Sequence, residues 1–511
     1  MERLRAELLR EKKIDGELFD QETLPDPDRR SPERVLQFGG GNFLRAFADW
    51  MVDVANERCG FDGSVLVARP VSRGDDDLIN DQDGLFTLLV RGMENGETVE
   101  RRHLVGSISR SIKCRTEWDA YLKAAEQEAL RFIISNTTEA GIVYTPEKQP
   151  DSGQAPSSFP AKLTAFLHRR FEHFDEDKEK GFIVLPCELI ENNGAKLRDC
   201  VMQYADDWKL GDAFAEWLSE ANVFCNTLVD RIVPGYPSEE IEAIQATLGY
   251  EDRLLVTSEP YLLWVIEAPE SVAAEIPFHR LGLNVVLTDD LTPWRTQKVR
   301  VLNGAHTSSV LAAFLAGLDT VGEMMDDELL GAYVRRNVFD EILPVLHMDS
   351  DAARAYAESV MERFQNPFIR HELLSISLNS VSKWKVRVLP SLLDGVDRFG
   401  KCPKDLAISL AALIRFYRGT FSDGKMSGSR EAEAYPIRDD EDVLEFFAEV
   451  WDEHGDDMGG LVNQVLSRKD FWDRDLNRVP GLANIVTTAL EAIEHRGMRK
   501  ALEELLKEEQ T

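Results

Sequence analysis

Short apolar runs alternate with helical stretches up to about residue 290, and this alternation constrains the fold more than any other feature of the chain. Segments with apolar residues at helical spacing, such as 42–57, 117–129 and 159–173, separate the runs. The runs are RVLQF (34–38), SVLVA (64–68), RFIIS (131–135), GFIVLP (181–186) and NVVLT (284–288). Strands that alternate with helices indicate βαβ units and a parallel sheet. We therefore predict an α/β domain over residues 1–290.

Beyond residue 290 the pattern changes, because convincing strands are few and helical spacing dominates. The predicted helices cover 297–317, 327–344, 352–364, 404–418, 441–454, 459–467 and 485–508. The stretch GTFSDGKMSGSREAEAY (419–435) is predicted to be a long loop. These segments indicate a second, mostly α-helical domain over residues 291–511.

The chain of 511 residues has a formal net charge of −32. This charge argues against a nucleic-acid-binding protein, because such proteins need a basic surface. Two interpretations of the charge stay open. The acidic surface either only keeps the protein hydrated, or it is an adaptation to a salt-rich cytoplasm.

Apolar runs and cysteines predict a cytoplasmic protein. No apolar run reaches the length of about 18 residues that a membrane span needs. Residues 1–20 are charged and lack the apolar segment of a secretory signal. The six cysteines are dispersed without a CxxC motif, which is typical of a reducing compartment.

A glycine turn follows the first predicted strand, in the segment VLQFGGGNFLRAF. Glycines here let backbone N–H groups approach a phosphate at the N-terminus of the next helix. The spacing is G-x-G-x-x-L, with Gly39 and Gly41 in place and Leu44 where a third glycine is usual. The βαβ context favours a dinucleotide site, and a simple turn is the alternative. Arg45 would either contact the pyrophosphate or lie at the surface.

Arg69 stands at the end of the second strand, where an acidic residue usually binds the ribose hydroxyls of the cofactor. An arginine at this point favours a 2′-phosphate and therefore NADP. Alternatively, Arg69 pairs with a nearby acid such as Asp75. The position by itself leaves the cofactor preference open.

Three polar residues interrupt the apolar segment KVRVLNGAH, namely Lys298, Asn303 and His306. On a helix that advances about 100° per residue, they lie within an arc of about 140°. Partial desolvation would lower the pKa of Lys298 and suit it to act as a general base. Asn303 can donate to a carbonyl or alkoxide oxygen, and His306 can bind a hydroxyl or orient the lysine. The set suits metal-free hydride transfer at a secondary alcohol, although the three residues could instead only cap or pair.

The motifs K-x-x-x-x-N-x-x-H (Lys298, Asn303, His306) and G-x-G-x-F-x-R, which includes Phe43, resemble those of the polyol-specific long-chain dehydrogenases, the mannitol dehydrogenase family. The resemblance runs from about residue 33 to the C-terminal helices. It includes the segments NDQDGLFTLLVRG, ISNTTEAGI, LPCELIENNG, CNTLVDRIVPG and VTSEPYLLWVIE. It implies an α/β N-terminal Rossmann-type domain plus a mostly α-helical C-terminal domain, with the active site between them.

The same resemblance implies roles for the catalytic residues. Lys298 would be the general acid/base, and His306 would support substrate binding and orient the lysine. Asn303 would form an oxyanion hole together with Asn193 of the ENNG segment.

The binding residues are also implied by the resemblance. Asp230 falls on a family position near the substrate and the lysine, and structural pairing with Arg231 is the alternative. The implied cofactor is NAD, because relatives that reduce hexuronates resemble this chain at Arg69 and are generally NAD-linked. The cofactor-binding residues would be Gly39, Gly40, Gly41, Asn42, Phe43, Arg45 and Arg69.

The implied reaction is the metal-independent reduction of D-tagaturonate to D-altronate by a monomer or small homo-oligomer. Three departures from the mannitol-type pattern favour a hexuronate substrate: Phe47 where histidine is frequent, Arg69 in place of an acid, and Leu189 after Cys187-Glu188 where asparagine is usual. A fructuronate reductase or a mannitol-type dehydrogenase on the same scaffold is the first alternative. A non-catalytic sensor that binds sugar acids or nucleotides is the second.

A hexuronate has a carboxylate that mannitol lacks, and a basic residue should bind it. The segment SKWKVRVLP contains three basic residues within five positions, Lys383, Lys385 and Arg387. We predict that one of them binds the carboxylate. Pairing with surface acids is the alternative.

The chain contains no motif for two other kinds of chemistry. The nine histidines are dispersed without HxxxH or HxH spacing, which argues against a catalytic metal. G-x-S-x-G is absent, which argues against a serine hydrolase.

Overall fold

The computed structural model describes residues 1–28, 31–70, 77–138, 140–150 and 153–507. The chain forms two compact units, Met1–Leu291 and Thr292–Thr511. No helix within these residues is long and apolar enough to cross a membrane. Asp75, the acid predicted to pair with Arg69, lies outside the described residues.

The first unit contains three sheets. Its described strands are β1 (Glu33–Phe38), β2 (Ser64–Arg69), β3 (Phe86–Glu94), β4 (Glu97–Val105), β5 (Ile108–Lys113), β6 (Phe132–Ser135), β7 (Ile183–Pro186), β8 (Val223–Phe224), β9 (Asn226–Asp230), β10 (Val256–Ser258), β11 (Leu263–Glu267) and β12 (Val285–Thr288). The strands predicted near 34, 64, 131, 181 and 284 are therefore confirmed.

The main sheet has six parallel strands in the order β5-β2-β1-β6-β7-β8. This is the strand order of the Rossmann fold. Both sides are covered, because alternate residues of each strand enter two different cores: Val35 and Ile134 on one side, Leu36 and Ile133 on the other. The register aligns Phe38 with both Ala68 and Ser135, so the carboxyl ends of the central strands meet at one edge.

Helices cover the sheet and connect its strands. The α-helices of the first unit are Ala6–Arg10, Asn42–Leu44, Trp50–Arg58, Leu78–Asp81, Trp118–Ala124, Phe159–His173, Asn193–Asp207, Asp212–Glu220, Ile241–Leu248 and Glu270–Ala273. Short 3-10 helices cover Gly16–Leu18, Lys178–Lys180 and Phe278–Arg280, and a π-helical turn covers Arg45–Asp49.

Two three-stranded sheets, ordered β10-β3-β4 and β12-β11-β9, complete the first unit. The hairpin between β3 and β4 turns at Asn95–Gly96, whose φ angles are 55° and 79°. Two successive left-handed residues form the turn that asparagine-glycine favours, so this dipeptide is a sequence signal for the hairpin.

The second unit is mostly helical, as predicted. Its α-helices are Thr292–Gln297, Gly304–Leu315, Val321–Asp326, Glu328–Arg336, Ser350–Phe364, Leu373–Ile376, Ser380–Arg387, Leu389–Phe399, Lys404–Phe416, Glu441–His454, Met458–Ser467, Lys469–Trp472, Leu482–Arg496 and Met498–Lys507. π-helical turns cover Lys298–Asn303 and Asn337–Ile342, and 3-10 helices cover Leu343–Val345 and Leu476–Arg478.

The loop predicted over 419–435 is wrong, because this segment forms most of an antiparallel sheet. Its strands are β13 (Gly419–Ser422), β14 (Lys425–Arg430) and β15 (Glu433–Ile437). The first turn is Asp423–Gly424, with φ angles of 52° and 70°, and such a dipeptide signals a hairpin. The second turn, at 431–432, contains no glycine or asparagine, so the sequence does not predict it.

Candidate active site

The glycine turn links β1 to a continuous helical segment over 42–58. Gly39 has a φ of 107°, a value that residues other than glycine rarely adopt. A Cβ on Gly40 would lie 2.8 Å from Ile79 Cδ1, whereas a Cβ on Gly41 would meet no atom within 4 Å. Backbone conformation therefore explains Gly39, and packing explains Gly40. The third leaves open space beside the helix N-terminus, which fits the approach of a dinucleotide phosphate.

Arg45 supports the turn from inside the protein. It is 5% exposed, and its guanidinium donates to Gly40 O at 2.6 Å, Asn42 Oδ1 at 2.9 Å and Leu254 O at 3.2 Å. Burial lowers the pKa of Arg45. The surface position that the sequence left open for Arg45 is wrong, and contact with the pyrophosphate stays a prediction. The observed bonds make Arg45 a support of the glycine turn.

The aromatic residues after the turn form a packed row. The Phe43 ring stacks on Phe47 with centroids 5.0 Å apart, and Phe47 packs against Trp264 at 5.3 Å. Phe47 is fully buried. The residue that replaces the histidine frequent in the family is thus part of the core that holds the turn.

Arg69 ends β2 at the carboxyl edge of the sheet, as predicted. Its Nη1 lies 3.8 Å from Asp77 Oδ1, so an acid just beyond the undescribed residues 71–76 pairs with it. At this edge an arginine is within the region where Rossmann folds bind the ribose of the cofactor.

Glu188 links the ends of β6 and β7 and is not among the predicted site residues. Its buried carboxylate accepts hydrogen bonds from Ser135 Oγ at 2.9 Å, Thr137 N at 2.9 Å and Thr137 Oγ1 at 3.0 Å. Burial raises the pKa of Glu188, and these hydrogen bonds oppose the shift. An acid two residues after a strand end is the signal that could have identified it.

Asn193 has both polar atoms of its side chain in hydrogen bonds to the backbone. Nδ2 donates toward Pro186 O at 2.9 Å, Glu188 O at 3.1 Å and Thr227 O at 3.1 Å. Oδ1 accepts from Thr227 N and Gly194 N, each at 2.9 Å. The side chain is 1% exposed. Asn193 thus stabilises its loop, and its oxyanion-hole role stays a prediction that would require these bonds to be exchanged.

Asp230 ends β9 and is buried. The alternative of pairing with Arg231 is not found among the described residues. The Arg231 guanidinium instead donates to Glu259 O at 3.0 Å and Ala46 O at 2.6 Å, and lies over Trp50 at 4.8 Å. Arg231 therefore supports the 42–58 segment, while the role of Asp230 stays a prediction.

Lys298 and Asn303 mark the two ends of a π-helical turn in the second unit. The N–H of Gly304 donates to Val299 O, five residues back. Because a π-helical turn advances each residue by less than an α-helix does, the assumed 100° per residue does not apply between Lys298 and Asn303. π-helical turns are often found at functional sites. Lys298 and Asn303 are half-buried, and the Asn303 carboxamide makes no hydrogen bond to another described residue.

His306 lies on the helix Gly304–Leu315 and is 9% exposed. Its ring stacks on Phe364 with centroids 4.1 Å apart, and it meets the edge of His371 at 5.3 Å. Burial lowers the pKa of His371 and so favours its neutral form. The two rings fix the orientation of His306.

The three basic residues predicted to bind a carboxylate have different partners in the structure. Lys385 pairs with Asp473 at 2.7 Å. Lys383 Nζ donates to Ile376 O at 2.9 Å, and burial and the nearby Arg387 lower its pKa. No salt bridge joins Lys383 or Arg387 to a carboxylate in the described part of the chain.

Of these three basic residues, Arg387 is the one that donates a hydrogen bond to the helix of His306. Its Nη1 donates to Thr307 Oγ1 at 3.4 Å, and burial lowers its pKa. A Cβ on Gly304 would lie 3.2 Å from Arg387 O, so this glycine permits the close approach of the two helices. The arrangement places beside the predicted catalytic helix a cation that has no acidic partner among the described residues.

Within the described residues, no group of three or more histidine, cysteine, aspartate or glutamate side chains is arranged to hold a metal ion. The candidate site residues form two sets, one in each unit. The first is the glycine turn with Arg69. The second is Lys298, Asn303 and His306 with the neighbouring Arg387.

Two family models match the chain. The mannitol dehydrogenase Rossmann domain matches residues 33–280, and the mannitol dehydrogenase C-terminal domain matches residues 290–494. Among solved structures, the Pseudomonas fluorescens mannitol 2-dehydrogenase, in a ternary complex with NAD and D-mannitol, is 22% identical with a TM-score of 0.66 and covers 99% of each chain. A D-sorbitol dehydrogenase in substrate-free form is 20% identical with a TM-score of 0.78, over 98% of this chain and 100% of that one. These two structures share the fold.

Curated relatives are similar over nearly the whole chain. An altronate oxidoreductase of Pectobacterium carotovorum is 46% identical over 482 residues, which cover 93% of this chain and 98% of that protein. An altronate oxidoreductase of Escherichia coli O139:H28 is 45% identical over 483 residues, 94% and 98% of the two chains. The chain therefore belongs to the mannitol dehydrogenase family, as an oxidoreductase that acts on a CH–OH group with a nicotinamide dinucleotide.

Proposed function

We propose that this polyol or sugar-acid dehydrogenase catalyses the reversible, NAD(H)-dependent reduction of D-tagaturonate to D-altronate without a metal. Two relatives that are 45% and 46% identical over almost their full length are altronate oxidoreductases. The observation that favours a sugar acid over a neutral polyol is Arg387, a cation without an acidic partner among the described residues. Mannitol, a neutral polyol, has no carboxylate that could neutralise this positive charge.

Lys298 is the proposed general acid/base. In the reducing direction it gives a proton to the C–O⁻ oxygen as the alcohol forms, and in the reverse direction it removes that proton. Asn303 donates its amide N–H to the same oxygen and stabilises the negative charge. The bound cofactor supplies the hydride. His306, held by Phe364 and His371, binds a substrate hydroxyl and orients the lysine.

Arg387 is the proposed receptor of the hexuronate carboxylate, with Lys383 as a second positive charge. A planar guanidinium can bind a carboxylate through two parallel hydrogen bonds. The two residues are one helical turn apart, and the lowered pKa of each reflects a burial cost that an anion would relieve. Lys385 is not part of this receptor because it already pairs with Asp473.

The glycine turn is the proposed binding site of the dinucleotide. Backbone N–H groups from Gly41 onward would bind the pyrophosphate, and Asn42 and Phe43 would flank it. NAD is proposed over NADP because Arg69 has Asp77 beside it, which opposes a 2′-phosphate by repulsion and by competing for the guanidinium.

The decisive experiment measures NADH oxidation with D-tagaturonate beside D-fructuronate and D-fructose, in low and high salt. Fast turnover of D-tagaturonate alone supports the proposal. Preference for D-fructuronate or D-fructose would instead indicate a sister enzyme of the family. Dinucleotide binding without turnover of any substrate, also with NADPH, would indicate a non-catalytic sensor.

A further inference from the structure

Gln37 and Asp49 form a buried pair beneath the glycine turn. Both side chains are fully buried, Gln37 on β1 and Asp49 at the end of the π-helical turn Arg45–Asp49. Gln37 Nε2 donates to Gly39 O at 3.0 Å and to Asp49 Oδ2 at 3.1 Å. The amide therefore connects the backbone of the glycine turn to the carboxyl group.

The pair leaves two buried oxygen atoms without a donor. Neither Asp49 Oδ1 nor Gln37 Oε1 has a hydrogen-bond partner among the described residues. A buried acceptor without a donor is costly, so such atoms need an explanation. A carboxylic acid beside a primary amide can close a ring of two hydrogen bonds, in which the carboxyl O–H donates to the amide oxygen. One proton on Asp49 Oδ1 would satisfy both oxygens.

We propose that Asp49 is a positioning residue that holds the glycine turn in its dinucleotide-binding form through a proton shared with Gln37. The protonated pair fixes the side-chain amide of Gln37, and Gln37 fixes the carbonyl of Gly39. Loss of the proton leaves a buried negative charge near the site proposed for the pyrophosphate. Both effects weaken dinucleotide binding.

The electrostatic surroundings support a protonated carboxyl group. Burial raises the pKa of Asp49 to about 7, opposed by the Gln37 hydrogen bond and the charge of Arg45. Ser107 Oγ donates to the backbone oxygen of Asp49 at 2.7 Å and so leaves the carboxyl group untouched. Arg231 packs on the same turn through its bond to Ala46 O, and gives no hydrogen bond to Asp49.

Another ionisable pair, Asp53 and His103, begins one helical turn further along the segment 42–58. Asp53 accepts from Gly106 N at 3.1 Å and lies 3.0 Å from His103 Nε2. Neither residue bonds to the glycine turn, so this pair provides a control for a pH effect that arises elsewhere on the segment 42–58.

The test compares the full-length protein with Asp49→Asn, Asp49→Ala and the control Asp53→Asn. NADH affinity is measured by tryptophan fluorescence between pH 6 and pH 8.5, without substrate. If only the protonated form binds, the wild-type Kd should rise about thirty-fold over this range. Asp49→Asn keeps a donor and an acceptor, so it should bind NADH tightly at every pH. Asp49→Ala should bind weakly throughout, and Asp53→Asn should follow the wild type.

Thermal unfolding without NADH gives a second, independent readout. A carboxyl group with a raised pKa in the folded state binds more protons there than in the unfolded chain. Stability should therefore fall as the pH rises from about 4 to 7, and Asp49→Asn should remove that part of the fall. If the wild type and Asp49→Asn shared one pH dependence in both experiments, or if Asp49→Asn bound NADH as weakly as Asp49→Ala, the proposal would be overturned. Absence of NADH binding in the wild type would count against the dinucleotide site, while the unfolding experiment would still decide the role of Asp49.

Discussion

Arg387 Nη1 lies 3.4 Å from Thr307 Oγ1, and Thr307 directly follows His306 on the helix Gly304–Leu315. The contact joins two helices that Gly304 allows to approach closely. Arg387 has no acidic partner among the described residues. Arg45 and Arg231 share this property but each donates to at least two backbone carbonyls, whereas the Arg387 guanidinium has the single hydrogen bond to Thr307. The position of Arg387 beside the predicted catalytic helix makes it the best candidate to bind the anionic end of a substrate.

Arg387→Ala should raise the KM for D-tagaturonate by roughly 10- to 100-fold, because a charged hydrogen bond to the carboxylate is lost. Steady-state kinetics of the purified variant provide the measurement. Lys385→Ala is the matched control, since its ammonium already pairs with Asp473 at the surface and should leave the KM unchanged. A larger effect at Lys385 than at Arg387 would reverse the assignment.

Lys298→Ala should lower kcat by roughly 100- to 10,000-fold through loss of the general acid/base. Lys298→Arg should be similarly inactive, since arginine keeps its proton. NADH binding, measured by fluorescence, should stay close to the wild type in both variants. Residual activity within tenfold of the wild type would mean that another group transfers the proton.

Gly41→Ala should fold normally yet bind NADH about tenfold more weakly or worse, because the added methyl group enters the space proposed for the phosphate. Thermal unfolding and fluorescence titration separate the two effects. Gly322→Ala is the control, as its Cβ would also meet almost no neighbour. Undiminished NADH affinity in Gly41→Ala would place the phosphate elsewhere.

Ala432→Gly should stabilise the protein by about 1 kcal/mol, because Ala432 has a φ of 71° in the turn between β14 and β15. The same substitution at Ala434, an exposed residue of β15, should destabilise by roughly 0.5–1 kcal/mol. Denaturant unfolding of the two variants measures both effects. Equal effects would show that backbone strain at 432 is unimportant.

Raising KCl from about 0.1 M to 2 M should raise the melting temperature by several degrees if the acidic surface is adapted to salt. The net charge of −32 repels itself, and salt screens that repulsion. Sucrose, which stabilises without screening, serves as the control. An unchanged melting temperature in KCl would favour an acidic surface that is merely hydrated.

Patterns within short stretches predicted much of this structure. Four of the six strands of the main sheet (β1, β2, β6 and β7), the glycine turn and the helical character of the second unit follow from local periodicity, whereas β5 and β8 were not predicted. Composition does not distinguish the sheet over 419–437 from a loop, because an aspartate-glycine turn is also typical of loops and because the second turn contains glutamate and alanine. A tight hairpin turn requires positive φ angles. The sequence indicates such angles only where residues that favour them, such as glycine or asparagine, are present.

The sequence by itself determined the order of the elements, the family motifs and the residue types available for chemistry. Only the tertiary structure decided which of these side chains are engaged in the fold. Asn193 and Arg45 bond to backbone atoms, and Lys385 pairs with an aspartate 88 positions away. Arg387 instead reaches a threonine 80 positions away and no described carboxylate. The physical reason is that segments distant in the chain provide the hydrogen-bond partners and bury the side chains. The spacing of neighbouring residues therefore cannot predict these contacts.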